Sequence, residues 1–185
     1  MATFMVNVDG EKVKTTVTNR ASSVDGFITE LILSCNYSNR WPPIIGLDIE
    51  LNDLNCLHQV QGCNTATLLG LSLHYKLFII QLIHMEVVPL SLINFLSAPL
   101  FCFVGVGIHK LLSFLRRDYG LECRNVVDLK PILDLAVYCG NLEVEAKPLS
   151  VIRGNWGAGN LNMEQIESAA TDAFIFFKFE NMLFA

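Results

Sequence analysis

The sequence has little charge, and less of the positive kind. Asp, Glu, Lys and Arg make up 17% of its 185 residues, with 13 Lys and Arg against 18 Asp and Glu, for a formal net charge of −5. This balance excludes a general polyanion binder with a broad basic face; nucleic acid would have to be handled locally, with metal ions neutralising phosphate. The six cysteines (Cys35, Cys56, Cys63, Cys102, Cys123, Cys139) contain no C-x-x-C pair and no histidine at metal-ligand spacing. They read as small core residues of a protein in a reducing compartment without a signal peptide, placed in the cytoplasm or nucleus. His58, His74, His84 and His109 have no metal spacing with one another and read as loop, turn or core-edge histidines. Gly154, Gly157 and Gly159 form no G-x-G-x-x-G after a strand, so a dinucleotide site is not expected.

Apolar residues, in contrast, are abundant, at 52% with a mean hydropathy of +0.42. The length suits a single domain spanning 1–185, with a hairpin and helix over 1–40 ahead of a core over 41–185. The apolar surplus predicts a homo-oligomer. From Val87 to Ile108 no charged residue occurs, long enough to span a bilayer. Pro89, Asn94, Pro99, Gly105 and Gly107 instead divide this run into a helix (Leu90 to Ser97), a turn and a buried strand (Leu100 to Gly107), so no membrane is expected.

Along the chain, Phe4, Val6 and Val8 alternate with more polar neighbours, Asp9-Gly10 turns, and Val13, Thr15 and Val17 alternate back as a hairpin. An amphipathic helix follows from Ser22, with Ser22 and Asp25 resembling an N-terminal cap. Ile44 to Glu50 reads as a strand, Leu51 to Asn64 as a polar connection, and Ala66 to Leu73 with Leu77 to Leu82 as a meander about His74-Tyr75-Lys76. A helix from His109 to Arg117 ends at Tyr119-Gly120, a strand lies at Val126-Val127-Asp128, and a helix starts near Pro131. A glycine-rich loop from Arg153 to Asn160 precedes a last helix from Met163. The order predicts an α/β fold with a central mixed five-stranded sheet flanked by helices.

The strand Ile44-Ile45-Gly46-Leu47-Asp48-Ile49-Glu50 carries the clearest chemical signal. Alternation puts Asp48 and Glu50 on one face and Leu47 and Ile49 on the other. Two carboxylates ending an apolar strand repel each other and resist burial, a cost that a bound divalent cation resolves. Solvated acids at an ordinary strand end remain the alternative. Asp172 is similar: it falls inside an apolar helix between Ala170 and Ala173, either as a solvated acid or as a cation ligand.

Gly46 to Glu50, Phe103-Val104-Gly105-Val106-Gly107-Ile108, Asp118-Tyr119-Gly120-Leu121, Val127-Asp128-Leu129, Trp156, Leu161, Glu164-Gln165-Ile166 and Ala169-Ala170-Thr171-Asp172-Ala173 occur in that order. From roughly Arg40 to Met182 the chain thereby resembles the DEDD 3′–5′ exonucleases (DEDDy type), nearest to the plant Werner-syndrome-exonuclease-like group. The resemblance implies a ribonuclease H-like fold and two Mg²⁺ or Mn²⁺ ions flanking a terminal phosphodiester, one activating water and one stabilising the leaving 3′ oxygen. It assigns Asp48 to bridge the ions, and Glu50 and Asp172 to complete the site of the ion that holds the attacking water.

Two positions depart from the family pattern. An acid is expected where Leu111 stands, and a tyrosine where Ser168 stands, one helical turn before Asp172. Leu111 removes negative charge near the second ion, and Ser168 could orient water only through another water. Asp118, about two helical turns beyond Leu111, is not expected to substitute. Arg116-Arg117 with Lys110 reads as a solvated basic face or, alternatively, a phosphate-tracking one. The sequence therefore predicts a metal-dependent 3′–5′ exonuclease acting on single-stranded RNA or DNA ends, slow in turnover. The alternative is a catalytically degenerate homologue that binds nucleic acid or serves as an assembly subunit.

Overall fold

The structure, a computed structural model, describes residues 1–8, 10–36, 42–52, 64–138 and 147–183. Strands β1 (Ala2–Val8) and β2 (Glu11–Thr18) form the expected hairpin, and helix α1 (Ala21–Asn36) follows. The central strand β3 (Ile44–Asn52) leads to β4 (Thr65–Leu73) and β5 (Lys76–Gln81), then to a 3₁₀ turn (Leu82–His84). Next come α2 (Leu90–Ser97), β6 (Cys102–Gly105), α3 (Ile108–Tyr119), β7 (Val126–Asp128), α4 (Lys130–Tyr138), the short α5 (Leu149–Ile152) and α6 (Met163–Leu183). The uncharged run from Val87 is indeed split among α2, a turn and β6. Among the described residues, no helix is long and apolar enough to cross a membrane.

The strands form one mixed sheet of seven, in the order β1-β2-β5-β4-β3-β6-β7. The five expected strands are its centre and one flank. The hairpin extends the other flank, because β2 pairs parallel with β5 from Lys14↔Lys76 to Thr18↔Ile80. β3 lies between β4, antiparallel, and β6, parallel. A register shift between Glu50 and Leu51 ends the regular ladder just past the two acids.

Each sheet face has its own apolar core. On one, Ile45, Leu47 and Ile49 of β3 pack with Val24, Phe27 and Leu31 of α1, Leu92 and Phe95 of α2, and Leu115 of α3. On the other, Leu68, Leu77 and Ile79 meet Val151, Trp156 and the α6 residues Ile166, Ala169, Ala170 and Phe174. Pleat alternation thus turns Gly46, Asp48 and Glu50 toward the side where α6 lies across β3. Gly105 permits the close approach of β6 to β3, since a Cβ there would fall 2.5 Å from the Leu47 carbonyl oxygen.

The N-terminal cap expected at Ser22 and Asp25 does not form. The helix starts one residue earlier, at Ala21, and Asp25 Oδ1 instead accepts from Ser91 Oγ at 2.5 Å, tying α1 to α2. α6 carries a cap that the sequence reading passed over. Asn162 Oδ1 accepts from the Gln165 amide at 2.8 Å, and Gln165 Oε1 accepts from the Asn162 amide at 3.1 Å. This reciprocal pair fixes the start of the helix that delivers Asp172.

Candidate metal centre

Asp48 and Glu50 leave the same face of β3, and Asp172 reaches them from α6 one turn beyond Ser168. Each offers a carboxylate oxygen, and these oxygens lie within 4.8 Å of one another. All three residues are partly buried, with the Glu50 and Asp172 side chains 17% and 23% exposed. Across the ladder Asp48 faces Gly70, where a Cβ would lie 3.4 Å from Asp48 Cβ, so β4 puts no side chain beside the carboxylate.

Crowding shows in the protonation equilibria. Burial first, then repulsion from Glu50 and Asp172, pushes Asp48 well above the ordinary carboxylate range, with Lys147 and the Ile49 amide opposing. Burial also raises Glu50, against the pull of Lys147. A cluster that holds its own carboxyls toward the protonated form is short of positive charge.

Part of that charge comes from a residue the sequence reading missed. Lys147, just ahead of α5, places Nζ 3.2 Å from Glu50 Oε1, to which it donates a hydrogen bond, and 2.6 Å from Asp172 Oδ2. The second approach is an ion pair to a buried carboxylate oxygen. Burial alone would lower the Lys147 pKa; Glu50 and Asp172 outweigh it and hold the ammonium above its usual range. A lone lysine 97 residues from Glu50 carries no spacing signal.

This donor set fits a hard divalent cation. Such ions take carboxylate oxygens at about 2.0–2.6 Å, and the three acids offer such oxygens on one side of the sheet. Leu111 supplies no fourth ligand. It is partly buried and packs against the core on the α1–α3 side of the sheet. Ser168 Oγ is buried with no hydrogen-bond partner.

Asp118 is committed elsewhere. Its Oδ2 accepts from the Ala66 amide at 2.9 Å and its Oδ1 pairs with Arg117 Nε at 2.6 Å, holding the start of β4 together with Tyr119, whose hydroxyl donates to the Ala66 carbonyl. Asp128, also in the matching pattern, accepts from the amides of Gly107 and Lys130 and so braces the turns into α3 and α4. Arg116 pairs with Glu122, and Arg117 also lies over the Phe114 ring, as a solvated face would.

The glycine-rich loop is structural. Gln81 Nε2 donates to the carbonyls of Ala158 and Gly159, His84 Nε2 lies 2.9 Å from the Gly157 carbonyl, and a Cβ at Gly157 would meet Asn52 at 2.9 Å. His74 sits in the β4–β5 turn with a φ of 54°, and His109 is exposed in the first turn of α3. Cys35 and Cys123 are free thiols, and Cys102 opens β6; Cys56, Cys63, Cys139 and His58 lie outside the described residues.

No protein-family model matches the sequence, and no curated protein matches it. Solved structures do. The fold is that of the ribonuclease H-like exonuclease domains. The catalytic core of RRP6 from Trypanosoma brucei superposes with a TM-score of 0.68 at 15% identity, over 91% of this chain and 46% of that one. The chain thus spans under half the length of that core. The Nibbler EXO domain of Aedes aegypti matches with a TM-score of 0.66 at 14% identity, over 98% of this chain and 90% of its own. The EXD2 exonuclease domain, in crystals soaked with Mg and GMP, gives 0.54 at 22% identity, over 91% and 87%.

Proposed function

We propose that the protein is a divalent-metal-dependent 3′–5′ exonuclease of the DEDD type, acting on single-stranded RNA or DNA ends with slow turnover. The observation that carries this reading is the convergence of Asp48, Glu50 and Asp172 to within 4.8 Å, on a fold shared with exonuclease domains. Asp48, Glu50 and Asp172 would hold Mg²⁺ or Mn²⁺, with Asp48 the central ligand. When bound, the ion supplies Lewis-acid stabilisation of the phosphoryl group and lowers the pKa of water there. An EXD2 exonuclease domain has been soaked in Mn and dGMP, which supports the same chemistry here. Within the chain, β3 and α6 orient the three carboxylates. We propose a relation to the plant Werner-like exonucleases, and the cytoplasm or nucleus as the site of action.

The test is a time course on 3′-labelled single-stranded RNA and DNA with Mn²⁺ and with Mg²⁺, run beside Asp48→Ala. Ladder formation from the 3′ end that disappears in Asp48→Ala is the expected result. No cleavage of either substrate by a folded parent would reject the enzyme reading.

A second reading has its own support in Leu111, which joins the core where an acid is expected, and Ser168, which leaves a hydroxyl without a partner. On it the chain is a degenerate homologue that binds nucleic acid or assembles with other subunits. Ile132, Leu135 and Tyr138 of α4 are 43%, 62% and 88% exposed, and a homo-oligomer built on this face is proposed. Light scattering at high protein concentration that returned a monomer mass would reject the oligomer.

A further inference from the structure

The acidic cluster already holds a cation, and it belongs to the chain. Lys147 Nζ lies 2.6 Å from Asp172 Oδ2 and 3.2 Å from Glu50 Oε1. An ion coordinated by the same Asp172 oxygen, 2.6 Å from the ammonium, at about 2.0–2.6 Å would fall within about 5 Å of that ammonium. Two cations that close, sharing that oxygen, repel, and each needs the lone pairs the other is using. The Lys147 side chain is 38% exposed, so it has a path out of the cluster into solvent.

Resting on the metal reading of these acids, we propose that Lys147 is the site's resident cation, and that a divalent ion enters by displacing its ammonium from Glu50 and Asp172. In the absence of metal the lysine neutralises part of the carboxylate charge and holds α6 against β3. On loading, it swings outward while its charge stays near the mouth of the site. Lys147 is a gating residue here, acting on metal occupancy rather than on a reacting atom.

The test is acetylation of lysine amines followed by mass spectrometry of Lys147, in chelator and with Mn²⁺, with Mn²⁺ occupancy read on the same samples by electron paramagnetic resonance. Lys110, which is exposed, is the internal control. The expected result is slow acetylation of Lys147 in chelator and a rise of at least about fivefold with bound Mn²⁺, while Lys110 does not change. Lys147→Met keeps the aliphatic stem without the charge, and is expected to bind Mn²⁺ at least about tenfold more tightly. Mn²⁺ that binds the variant and not the parent would overturn displacement by the ion and leave the metal reading standing. Bound Mn²⁺ with Lys147 still protected would overturn displacement and leave the metal reading standing. Mn²⁺ that binds neither protein, both shown folded by circular dichroism, would overturn the metal reading and the displacement together.

Discussion

Asparagine at position 48 keeps the shape of the side chain and removes its charge from the most crowded place in the cluster. Glu50 and Asp172 share the Lys147 ammonium, whereas Asp48 makes no ion pair among the described residues. Two like charges 4.8 Å apart cost about 3.5 kcal/mol at an effective dielectric of about 20. The full cost of two such pairs is never borne, because Asp48 can bind a proton instead. At pH 7, protonating an aspartate of ordinary pKa, about 3.9, costs about 4.2 kcal/mol. That figure caps the burden, and the attraction of Lys147 lowers it. Asp48→Asn should therefore stabilise the metal-free protein at pH 7 by about 2–3 kcal/mol, or roughly 5–10 °C in Tm for a chain of this size. The sign follows from the direction of the shift. A carboxyl raised on folding contributes stability below its unfolded pKa and loses it as pH rises through the folded value. The advantage of asparagine should therefore be absent near pH 4 and grow toward neutrality. Calorimetry in chelator at both pH values measures it. Adding Mn²⁺ should reverse the ranking, since the parent gains stability by mass action and the variant has lost its central ligand. An Asp48→Asn protein less stable than the parent in chelator at pH 7, or equally responsive to Mn²⁺, would refute the reasoning.

Three further outcomes are expected. Gly105→Ala drives a methyl to 2.5 Å from the Leu47 carbonyl and from Ile108 Cδ1; it should cost at least about 1–3 kcal/mol, read by urea unfolding. Burial raises the Cys35 thiol to about 11 and the Cys123 thiol to about 12, so at pH 8 both should resist a thiol reagent in the native protein and react promptly in urea. Leu111→Asp with Ser168→Tyr puts an acid and a phenol where the proposed DEDD reading expects them. With water-positioning groups worth about 10²–10⁴-fold, it should raise exonuclease turnover at least tenfold, provided melting shows the protein folded; a folded double variant no faster than the parent refutes that explanation of slow turnover.

Much of the fold was legible because the signals were local. Period-two alternation placed Val6, Val8, Val13 and Val17 on one face of the hairpin, and proline and glycine marked the ends of α2 and α3. The acid pair was legible for the same reason, since alternation alone puts Asp48 beside Glu50. What stayed hidden was whatever depends on pairing between distant segments. Nothing in β2 announces a parallel ladder with β5, so the hairpin read as an appendage when it extends the sheet to seven strands. The Asn162–Gln165 box was readable in principle, but asparagine in place of serine or threonine weakens the pattern.

Leu111 and Lys147 make a single electrostatic change when taken together. In the DEDD pattern that the sequence resembles, four carboxylates face two divalent ions, and the charges balance. On the proposed reading Leu111 stands where that pattern has an acid; it packs against the core, while Lys147 brings an ammonium to Glu50 and Asp172. Three carboxylates and one ammonium balance a single divalent ion. A second ion would face a net excess of positive charge in a partly desolvated site, where such an excess costs several kcal/mol. The lost acid and the gained lysine lie far apart in sequence, and neither is odd by itself: a leucine on an amphipathic helix and a lysine before a proline are ordinary residues. Only the meeting of β3, α6 and the segment ahead of α5 brings Lys147 to the acids, and on the proposed metal reading the centre is matched in charge to one ion.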